Sequence, residues 1–470
     1  MSLTEKTHIS IPAELKKVNE LFTKNGFKAF LVGGAVRDMI LGKPSHDWDL
    51  ATNATPQQVM EIFHRVIPTG IAHGTVTIHI FGLELETTTF RTEAGYSDGR
   101  HPDAVIYAST IEEDLSRRDF TMNAIAAELS TGLLIDPFGG IQDIHNKIIR
   151  TVGNPLERFD EDGLRPVRAI RFAGQLGFTI ESETLKALSN PSVLKKTASI
   201  SVERFRDEFC KMLSSSTPSI SLKLLEQTGI MNLFIPEFAV CRNCSQSDTR
   251  GYHDFDVADH LFYACDGAPK DNLVVRLSAF YHDIGKPEAR FSEIVDGSEI
   301  IHFHGHESIS AKKAQQSMRF LKFSNEMIDA VAHLVKEHMF FYESTWSDAA
   351  VRRFIIRIGL ENIDNLFAVR LADIHGMHNV PVVPGSPSWN NLEEFEKRIA
   401  KVTKEKTALS LKDLALSGTD LMELGIPKGK LIGMILKELF ETVTDSPEMN
   451  TKEKLSVLAK NIYTKKYQDM

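Results

Sequence analysis

Two aspartates, Asp47 and Asp49, stand two residues apart in the segment HDWDLAT, whose composition predicts a β-strand. Because successive side chains of a strand point to opposite faces, both carboxylates share one face, with Cα atoms about 6.6 Å apart. Such a pair can hold one or two hard divalent cations, and Mg²⁺ suits carboxylate oxygens together with substrate phosphates. The alternative is a solvated pair of aspartates at the end of a strand.

A third catalytic carboxylate is expected from the segment LELETTTFR, in which Leu83 and Leu85 share one face of a strand. Glu84 and Glu86 then occupy the other face. Either glutamate meets this alternation, and we prefer Glu86 as the third oxygen ligand of the cation. The pattern therefore predicts a catalytic group of Asp47, Asp49 and Glu86, with Mg²⁺ as the cofactor.

A glycine pair follows the predicted strand FKAFLVGG and precedes the short amphipathic segment AVRDMILG. Gly33 and Gly34 thus stand at a strand-to-helix turn, where a backbone without side chains can approach a ligand closely. Arg37 follows one helical turn later. These residues together can bind a triphosphate beside the metal, which favours a catalytic role for the neighbouring aspartates over the solvated pair.

Asp162 and Arg165 lie three residues apart on the predicted helix EDGLRPVRAIRF, so their side chains are expected to be neighbours on one face. Cytosine and adenine both present an amino donor beside a ring-nitrogen acceptor. A carboxylate and a guanidinium therefore fit C and A but leave polar groups unpaired against U or G. This pair predicts nucleotide selection without a nucleic-acid template.

Arg168 and Arg171 continue the same predicted helix and extend its basic face around the axis. We expect them to contact nucleotide phosphate or sugar. The alternative is a basic helix face in solvent, and Pro166 is an awkward residue for the interior of a helix.

A second group of residues lies between residues 252 and 380, a segment rich in histidine and aspartate. Imidazoles and carboxylates from separate helices can converge on one or two transition metals that activate water. The candidate ligands are His260, His282, Asp283, His306, His338 and Asp373. Their order resembles the HD superfamily of metal-dependent phosphohydrolases. Imidazoles together with carboxylates suit a transition metal, Ni²⁺, Co²⁺ or Mn²⁺, better than Mg²⁺. The alternative is a helical insert without activity.

The secondary structure that must position these residues is mixed in the first part of the chain and helical in the rest. Strands and helices alternate from residue 27 to about residue 90, which predicts an α+β head, and residues 92–112 have the composition of a loop. After Asp162 the pattern is helix after helix, without strand alternation. We predict a head over 1–150, a helical neck and body over 151–251, a metal-binding helical domain over 252–380, and a helical C-terminal region over 381–470.

Composition bounds the class of protein. The chain has 470 residues, 42% hydrophobic and 25% charged, and four cysteines, too few for a disulfide scaffold in a chain of this length. A membrane-spanning helix would need about 18 or more apolar residues in a row, and none is found. A cytoplasmic protein without a membrane partner is expected. The net charge of −9 excludes a uniformly basic surface but leaves room for a local nucleic-acid groove.

Several segments occur in a distinctive order along the chain. They are LVGGAVRD, HDWDLAT, ETTTFR, RRDFTMNAIA, DPFGG, EDGLRPVRAIRF and a C-terminal segment over 411–443. In this order they resemble bacterial class II tRNA nucleotidyltransferases, which comprise CCA-adding enzymes and related poly(A) polymerases. The resemblance implies a polymerase-β-like head followed by an all-helical neck, body and tail that hold the tRNA acceptor end. The implied reaction adds CCA to tRNA 3′ ends from CTP and ATP.

By position in these motifs, the resemblance implies that Gly34, Arg37 and Arg118 contact the nucleotide triphosphate. The alternative for Arg118, with its neighbours Arg117 and Asp119, is a surface ion pair. An enzyme that adds only the terminal A, a poly(A) polymerase, and an HD phosphohydrolase with an inactive head remain as alternatives. The oligomeric state is left open.

Overall fold

The computed structural model describes residues 8–45, 47–94, 104–247, 250–404 and 408–467. The chain forms two compact units: the first is Met1–Ala239 with Phe320–Lys322, and the second is Val240–Arg319 with Phe323–Met470. The four-region division made from the sequence remains a prediction within these units. None of the described helices is long and apolar enough to cross a membrane.

The first unit contains a seven-stranded sheet in the order β3-β4-β5-β2-β1-β8-β9. Its central strands β2 and β5 run parallel, while β1 pairs antiparallel with β2 and β8. Phe30, Val32, Ala51 and Phe90 belong to the apolar core of this unit. The strands are β1 Ala29–Val32, β2 Trp48–Thr52, β3 Val66–Gly70, β4 Thr75–Ile80, β5 Leu83–Thr89, β6 Arg91–Ala94, β7 Ala104–Tyr107, β8 Ala126–Glu128, β9 Leu134–Ile135, β10 Ile148–Ile149 and β11 Thr179–Ile180.

Helices alternate with the strands in the first part of this unit, and most elements after β10 are helices. Short 3₁₀ turns occupy Ile71–His73 and Thr121–Asn123. The helices are α1 Ala13–Lys24, α2 Gly34–Ile40, α3 Pro56–Ile62, α4 Ile111–Ser116, α5 Gly140–Asn146, α6 Pro155–Glu161, α7 Arg165–Leu176, α8 Ser182–Leu188, α9 Pro191–Thr197, α10 Val202–Leu213, α11 Pro218–Gln227 and α12 Ile230–Phe234. The predicted α+β class is confirmed by this architecture.

The prediction of a loop over 92–112 is wrong at both of its ends. β6 and β7 pair antiparallel, with Arg91 opposite Tyr107 and Ala94 opposite Ala104. α4 then begins at Ile111 behind Thr110, whose side chain forms a capping box with Glu113. Residues 95–103 of the predicted loop lie outside the described residues.

The prediction of one continuous helix through Asp162 and Arg165 is also wrong. α6 ends at Glu161, Asp162 has an extended backbone, and α7 begins at Arg165. Pro166 fits near the start of α7, where a missing N–H costs no hydrogen bond. A Cβ at Gly163 would lie 2.5 Å from the carbonyl oxygen of Lys196, so this close contact requires glycine at the break.

The second unit is helical except for a hairpin of β12 Phe291–Val295 and β13 Ser298–His302, which the sequence analysis did not predict. Its 3₁₀ turns are Leu360–Asn362, Leu411–Asp413 and Pro447–Met449. The helices are α13 Val257–Gly267, α14 Leu273–Tyr281, α15 Lys286–Ala289, α16 His306–Phe320, α17 Asn325–Glu337, α18 Asp348–Ile358, α19 Ile363–His378, α20 Pro387–Lys404, α21 Gly418–Glu423, α22 Lys430–Asp445 and α23 Lys452–Lys466.

Two glycines bring α13 and α19 close together. A Cβ at Gly376 would lie 2.7 Å from the carbonyl oxygen of His260, and a Cβ at Gly267 would lie 2.5 Å from Cβ of His375. This close approach brings His260 on α13 near Asp373 on α19.

Candidate active sites

The head carboxylates are positioned by the two parallel strands at the centre of the sheet. Asp49 on β2 and Glu86 on β5 are partners in the strand register, so their side chains are neighbours. Asp47 is exposed and directly precedes β2, while Glu84 lies on β5 opposite His79. The structure therefore places Glu86, the preferred glutamate, beside Asp49.

Asp49 lies in strongly negative surroundings. Burial, followed by the charges of Glu86 and Asp47, raises the pKa of Asp49 to about 6, and Arg118 only partly opposes this shift. The positive charge of Arg118 thus does not outweigh burial and the two neighbouring carboxylates, and the three carboxylates offer only hard oxygen ligands. Both properties fit a divalent cation such as Mg²⁺.

A cavity of about 310 Å³, here called the catalytic cavity, opens beside Asp49 and Glu86. Five arginines line it together with acidic and small residues, so its lining can bind a triphosphate as well as a cation. The lining residues are Val32, Asp49, Leu50, Thr75, Glu86, Thr88, Arg91, Arg117, Arg118, Asp119, Asp162, Arg165 and Arg168.

The glycine turn lies beside two residues that line this cavity, Asp49 and Arg118. Gly33 has a φ of 72°, and a Cβ there would lie 3.1 Å from Nη1 of Arg118 and 3.5 Å from Oδ2 of Asp49. Gly34 begins α2, as the strand-to-helix pattern predicts. Arg37 is buried and donates to Asn123 and Asp38 at 2.9 Å, and it is absent from the described lining of the cavity.

Asp162 and Arg165 both line the catalytic cavity, although they belong to different local structures. Oδ2 of Asp162 accepts a hydrogen bond from Arg204 at 2.8 Å. Arg165 donates to the carboxylate of Glu161 and, at 3.0 Å, to the carbonyl oxygen of Arg117. In this structure both proposed base-reading groups therefore have protein partners.

Arg168 and Arg171 have different surroundings. Arg168 lines the cavity and donates two hydrogen bonds to Oδ2 of Asp119, at 2.8 and 2.6 Å. Burial would raise the pKa of Asp119, but Arg168 and Asn123 lower it to about 2. Arg117 and Arg118 pair with buried Asp114 instead of Asp119. Arg171 instead pairs with buried Glu208 and stacks 3.8 Å from the Phe172 ring centroid, outside the described cavity lining.

The second candidate site, here called the histidine–aspartate cluster, lies in the second unit. It comprises the six predicted ligands, all buried: His260, His282, Asp283, His306, His338 and Asp373. They form two groups that share Asp283, and within each group the ligand atoms lie within 4.8 Å of one another.

The first group brings together His260, His282, Asp283 and Asp373. Nε2 of His260 and Nε2 of His282 lie 2.9 Å apart, and Oδ1 of Asp373 is 3.4 Å from each. Oδ2 of Asp283 lies 3.0 Å from Nε2 of His260. Two imidazoles and two carboxylates from three helical segments therefore converge on one point, a donor set that suits a transition metal.

The second group uses the other oxygen of Asp283. Oδ1 of Asp283 lies 3.0 Å from Nε2 of His306 and 3.6 Å from Nε2 of His338. Asp283 thus faces both groups, as a carboxylate that bridges two metal ions would.

Backbone carbonyls orient three of these imidazoles. Nδ1 of His282, His306 and His338 donates to the carbonyl oxygen three residues earlier, at 2.8, 2.6 and 2.6 Å. This arrangement leaves Nε2 facing the cluster, as is typical of metal-binding histidines.

Two cations that the sequence analysis missed contact the cluster. Nζ of Lys286 lies 2.6 Å from Oδ2 of Asp283, and Nη1 of Arg370 lies 2.8 Å from Oδ2 of Asp373. Each stands three residues from its aspartate, a spacing that could have identified both residues. Burial lowers the pKa of His282, but Asp283 and Asp373 outweigh burial and raise it to about 10.

Comparison with known protein families agrees with this arrangement. Residues 29–150 match the poly(A) polymerase head domain, residues 177–241 match the RNA and SrmB-binding site of polymerase A, and residues 300–459 match domain 2 of tRNA nucleotidyltransferase. These matches and the catalytic cavity define a polymerase-type nucleotidyltransferase.

Similar proteins identify a narrower family within this class. The CCA-adding enzyme of Lactobacillus johnsonii is 35% identical over 432 residues, which cover 92% of each chain. The crystal structure of the Bacillus stearothermophilus CCA-adding enzyme in complex with CTP is 28% identical, with a TM-score of 0.72 over 97% of this chain and 98% of that chain. The chain belongs to the family of CCA-adding enzymes.

Proposed function

We propose that this chain adds CCA to the 3′ ends of tRNA, with CTP and ATP as substrates and without a nucleic-acid template. The observation that carries the proposal is the register pairing of Asp49 with Glu86 beside an arginine-lined cavity. The family supports the specific reaction, since relatives that span 92% of the chain are CCA-adding enzymes. Addition of A alone and poly(A) synthesis are not favoured.

The catalytic carboxylates would hold Mg²⁺ through Asp47, Asp49 and Glu86. Bound Mg²⁺ in such a site lowers the pKa of an attacking hydroxyl and stabilises a leaving pyrophosphate. Arg91, Arg117 and Arg118 line the same cavity and can neutralise the triphosphate. The tRNA 3′-hydroxyl would attack the α-phosphate in line with the leaving group.

Asp162 and Arg165 would choose the base. The Asp162 carboxylate accepts from the exocyclic amine, and the Arg165 guanidinium donates to the ring nitrogen, a pattern that C and A share. Arg204 already holds Asp162, and Glu161 already holds Arg165, so both groups are oriented before the base arrives.

A stepwise incorporation assay tests the reaction. Transcripts of tRNA that end before the first C, after the first C and after the second C are incubated with each nucleotide separately and together. Sequencing of the products should show C, C and A added in order, with UTP and GTP excluded. Products that end in A alone, or that carry long A tracts, would contradict CCA addition.

We further propose that the histidine–aspartate cluster binds two transition-metal ions and hydrolyses phosphoesters. The sharing of Asp283 by both ligand groups supports this proposal. Such a metal lowers the pKa of a bound water and so supplies a nucleophile at neutral pH. Lys286 and Arg370 lie at the carboxylates and can receive the substrate phosphate. An inactive head is not favoured, because its carboxylates retain the nucleotidyltransferase arrangement.

Metal analysis and a substrate panel test the second activity. Protein purified without chelators should contain Ni²⁺, Co²⁺ or Mn²⁺ and hydrolyse phosphomonoesters or 2′,3′-cyclic phosphates. His282→Ala should abolish hydrolysis and spare CCA addition with Mg²⁺. His304→Ala, at an exposed histidine outside the cluster, serves as the matched control. Protein without bound metal and without hydrolysis would leave the cluster as a structural part of a helical insert.

A further inference from the structure

A groove in the second unit carries polar groups that neither proposed activity uses. It lies between α19 and α20, has a volume of about 340 Å³, and is here called the acidic groove. Each helix contributes four residues spaced as one helical face. The lining residues are Asp364, Phe367, Ala368, Leu371, Trp389, Leu392, Glu393 and Glu396.

The groove combines an apolar floor with a negative rim. Phe367 and Leu392 are buried, whereas the carboxylates of Asp364, Glu393 and Glu396 are exposed. The described lining contains no Lys, Arg or His. Among the described residues, Glu393 forms an ion pair with Lys397 at 3.1 Å, and 70% of the Lys397 side chain is exposed to solvent. The groove therefore favours a ligand that is both cationic and apolar.

The three carboxylates of the acidic groove are too far apart to bind one metal ion together. Among the described residues, the groups whose ligand atoms lie within 4.8 Å of one another belong to the histidine–aspartate cluster. The three carboxylates of the groove do not meet at one point, so they match positive charges that are spread along a molecule.

We propose that the acidic groove binds a linear polyamine. Its ammonium groups would pair with Asp364, Glu393 and Glu396, while its methylene segments would cover Phe367 and Leu392. The Trp389 ring adds a cation–π partner for an ammonium group. The volume lies within the range of about 300–1,000 Å³ that small-molecule pockets occupy, which favours a small ligand over a protein helix. Nucleic acid is disfavoured by the negative rim.

Binding of spermidine to the full chain, measured by calorimetry without tRNA or nucleotide, tests this proposal. Glu393→Gln combined with Glu396→Gln should weaken binding about tenfold or more, because two charge-assisted contacts are lost. The matched control is Glu326→Gln combined with Glu423→Gln, which makes the same charge change at exposed positions of the same unit outside the groove. The control should bind spermidine as the parent chain does.

A second measurement locates the ligand. Spermidine should change the fluorescence of the parent chain and of Trp346→Phe, and the change should be lost in Trp389→Phe. Butylammonium, with one charge, should bind much more weakly than spermidine at matched ionic strength. Equal weakening by both glutamine pairs, or equal binding of butylammonium, would overturn the proposal in favour of general charge attraction. Absence of spermidine binding would overturn it as well.

Discussion

The catalytic cavity and the histidine–aspartate cluster both bring together side chains that could hold metal ions, but they balance charge in different ways. In the head, burial and the charges of Glu86 and Asp47 raise the pKa of Asp49 to about 6, although Arg118 lowers it in part. In the cluster, burial would raise the pKa of Asp283 and Asp373, yet cations and imidazoles hold both pKa values well below the ordinary range. In the head, the nearby arginines thus leave the pKa of Asp49 raised, whereas in the cluster the positive charges outweigh burial at both aspartates.

This difference accords with two ways of using a metal. A solvent-open set of carboxylates suits Mg²⁺, which keeps several waters and arrives with substrate phosphates. A buried set of imidazoles and carboxylates suits a resident transition metal. Such a metal must displace a proton from His282, whose pKa is raised to about 10 despite burial, and it must move Lys286 or share Asp283 with it.

The largest expected effect is the loss of nucleotide addition in Asp49→Asn. Metal ions contribute several kcal/mol to such reactions, so incorporation of both CTP and ATP should fall about 10³-fold or more. The metal content of the histidine–aspartate cluster, measured by mass spectrometry, should stay unchanged. Glu84→Gln, on the same strand as Glu86 but paired with His79, serves as the control and should remain active. Near-normal turnover in Asp49→Asn would contradict the metal assignment.

Strand alternation could predict from the sequence that Asp47 and Asp49 share one face and that Glu84 and Glu86 share another. The choice of Glu86 over Glu84 depends on the register between β2 and β5, which alternation does not determine.

The break between Asp162 and Arg165 could not be predicted, since it depends on the contact of Gly163 with the distant Lys196 backbone. Pro166 was the local sign of that break.

The β12–β13 hairpin, which was not predicted, does have a signal in the sequence. Asp296–Gly297, flanked by alternating residues, is a strong hairpin signal, and both residues adopt positive φ between β12 and β13.

The partners of Arg171 and Asp162 could not be predicted from the sequence. Their partners, Glu208 and Arg204, both lie on α10, and only the packing of the unit brings α10 next to α7 and to the break before α7.

The next effect is on metal stoichiometry in the cluster. Because Asp283 belongs to both ligand groups, Asp283→Asn should lose both metal ions, whereas His338→Ala should keep the one held by the first group. The loss of metal affinity in Asp283→Asn should exceed about 10–100-fold, the range that is typical when a residue that only supports a metal ligand is changed. Asp254→Asn is the control, since Asp254 is an exposed aspartate of another His–Asp dipeptide. Loss of one ion only in Asp283→Asn would disprove the bridging role.

A smaller effect is expected on nucleotide choice. Asp162→Ala removes the acceptor for the exocyclic amine, so discrimination against UTP and GTP should fall by about 1–3 kcal/mol, or about 5- to 150-fold. Affinity for tRNA should change little, and hydrolysis at the cluster should not change. Single-nucleotide competition assays measure the discrimination. Arg204→Lys, which keeps a positive charge near Asp162, should retain most of it. Equal loss for all four nucleotides would show that Asp162 has a structural role.

An effect of similar size is expected on stability, and it tests directly whether the negative charges around Asp49 destabilise the head. Burial, Glu86 and Asp47 raise the pKa of Asp49 from 3.8 to about 6, so the folded state binds the proton more tightly than the unfolded state. The resulting stabilisation is present below pH 3.8 and is lost as the pH rises through about 6.

Asp49→Asn removes the negative charge at every pH. The metal-free variant should therefore be more stable than the parent chain at pH 7.5, by about 1–3 kcal/mol, and this advantage should nearly vanish at pH 4. Urea unfolding of chelator-treated protein at both pH values measures the difference. Glu84→Gln controls for the loss of one charge from the same sheet. Added Mg²⁺ should narrow the gap at pH 7.5, because only the parent chain retains the full carboxylate set; an equal gap at both pH values would contradict this destabilisation.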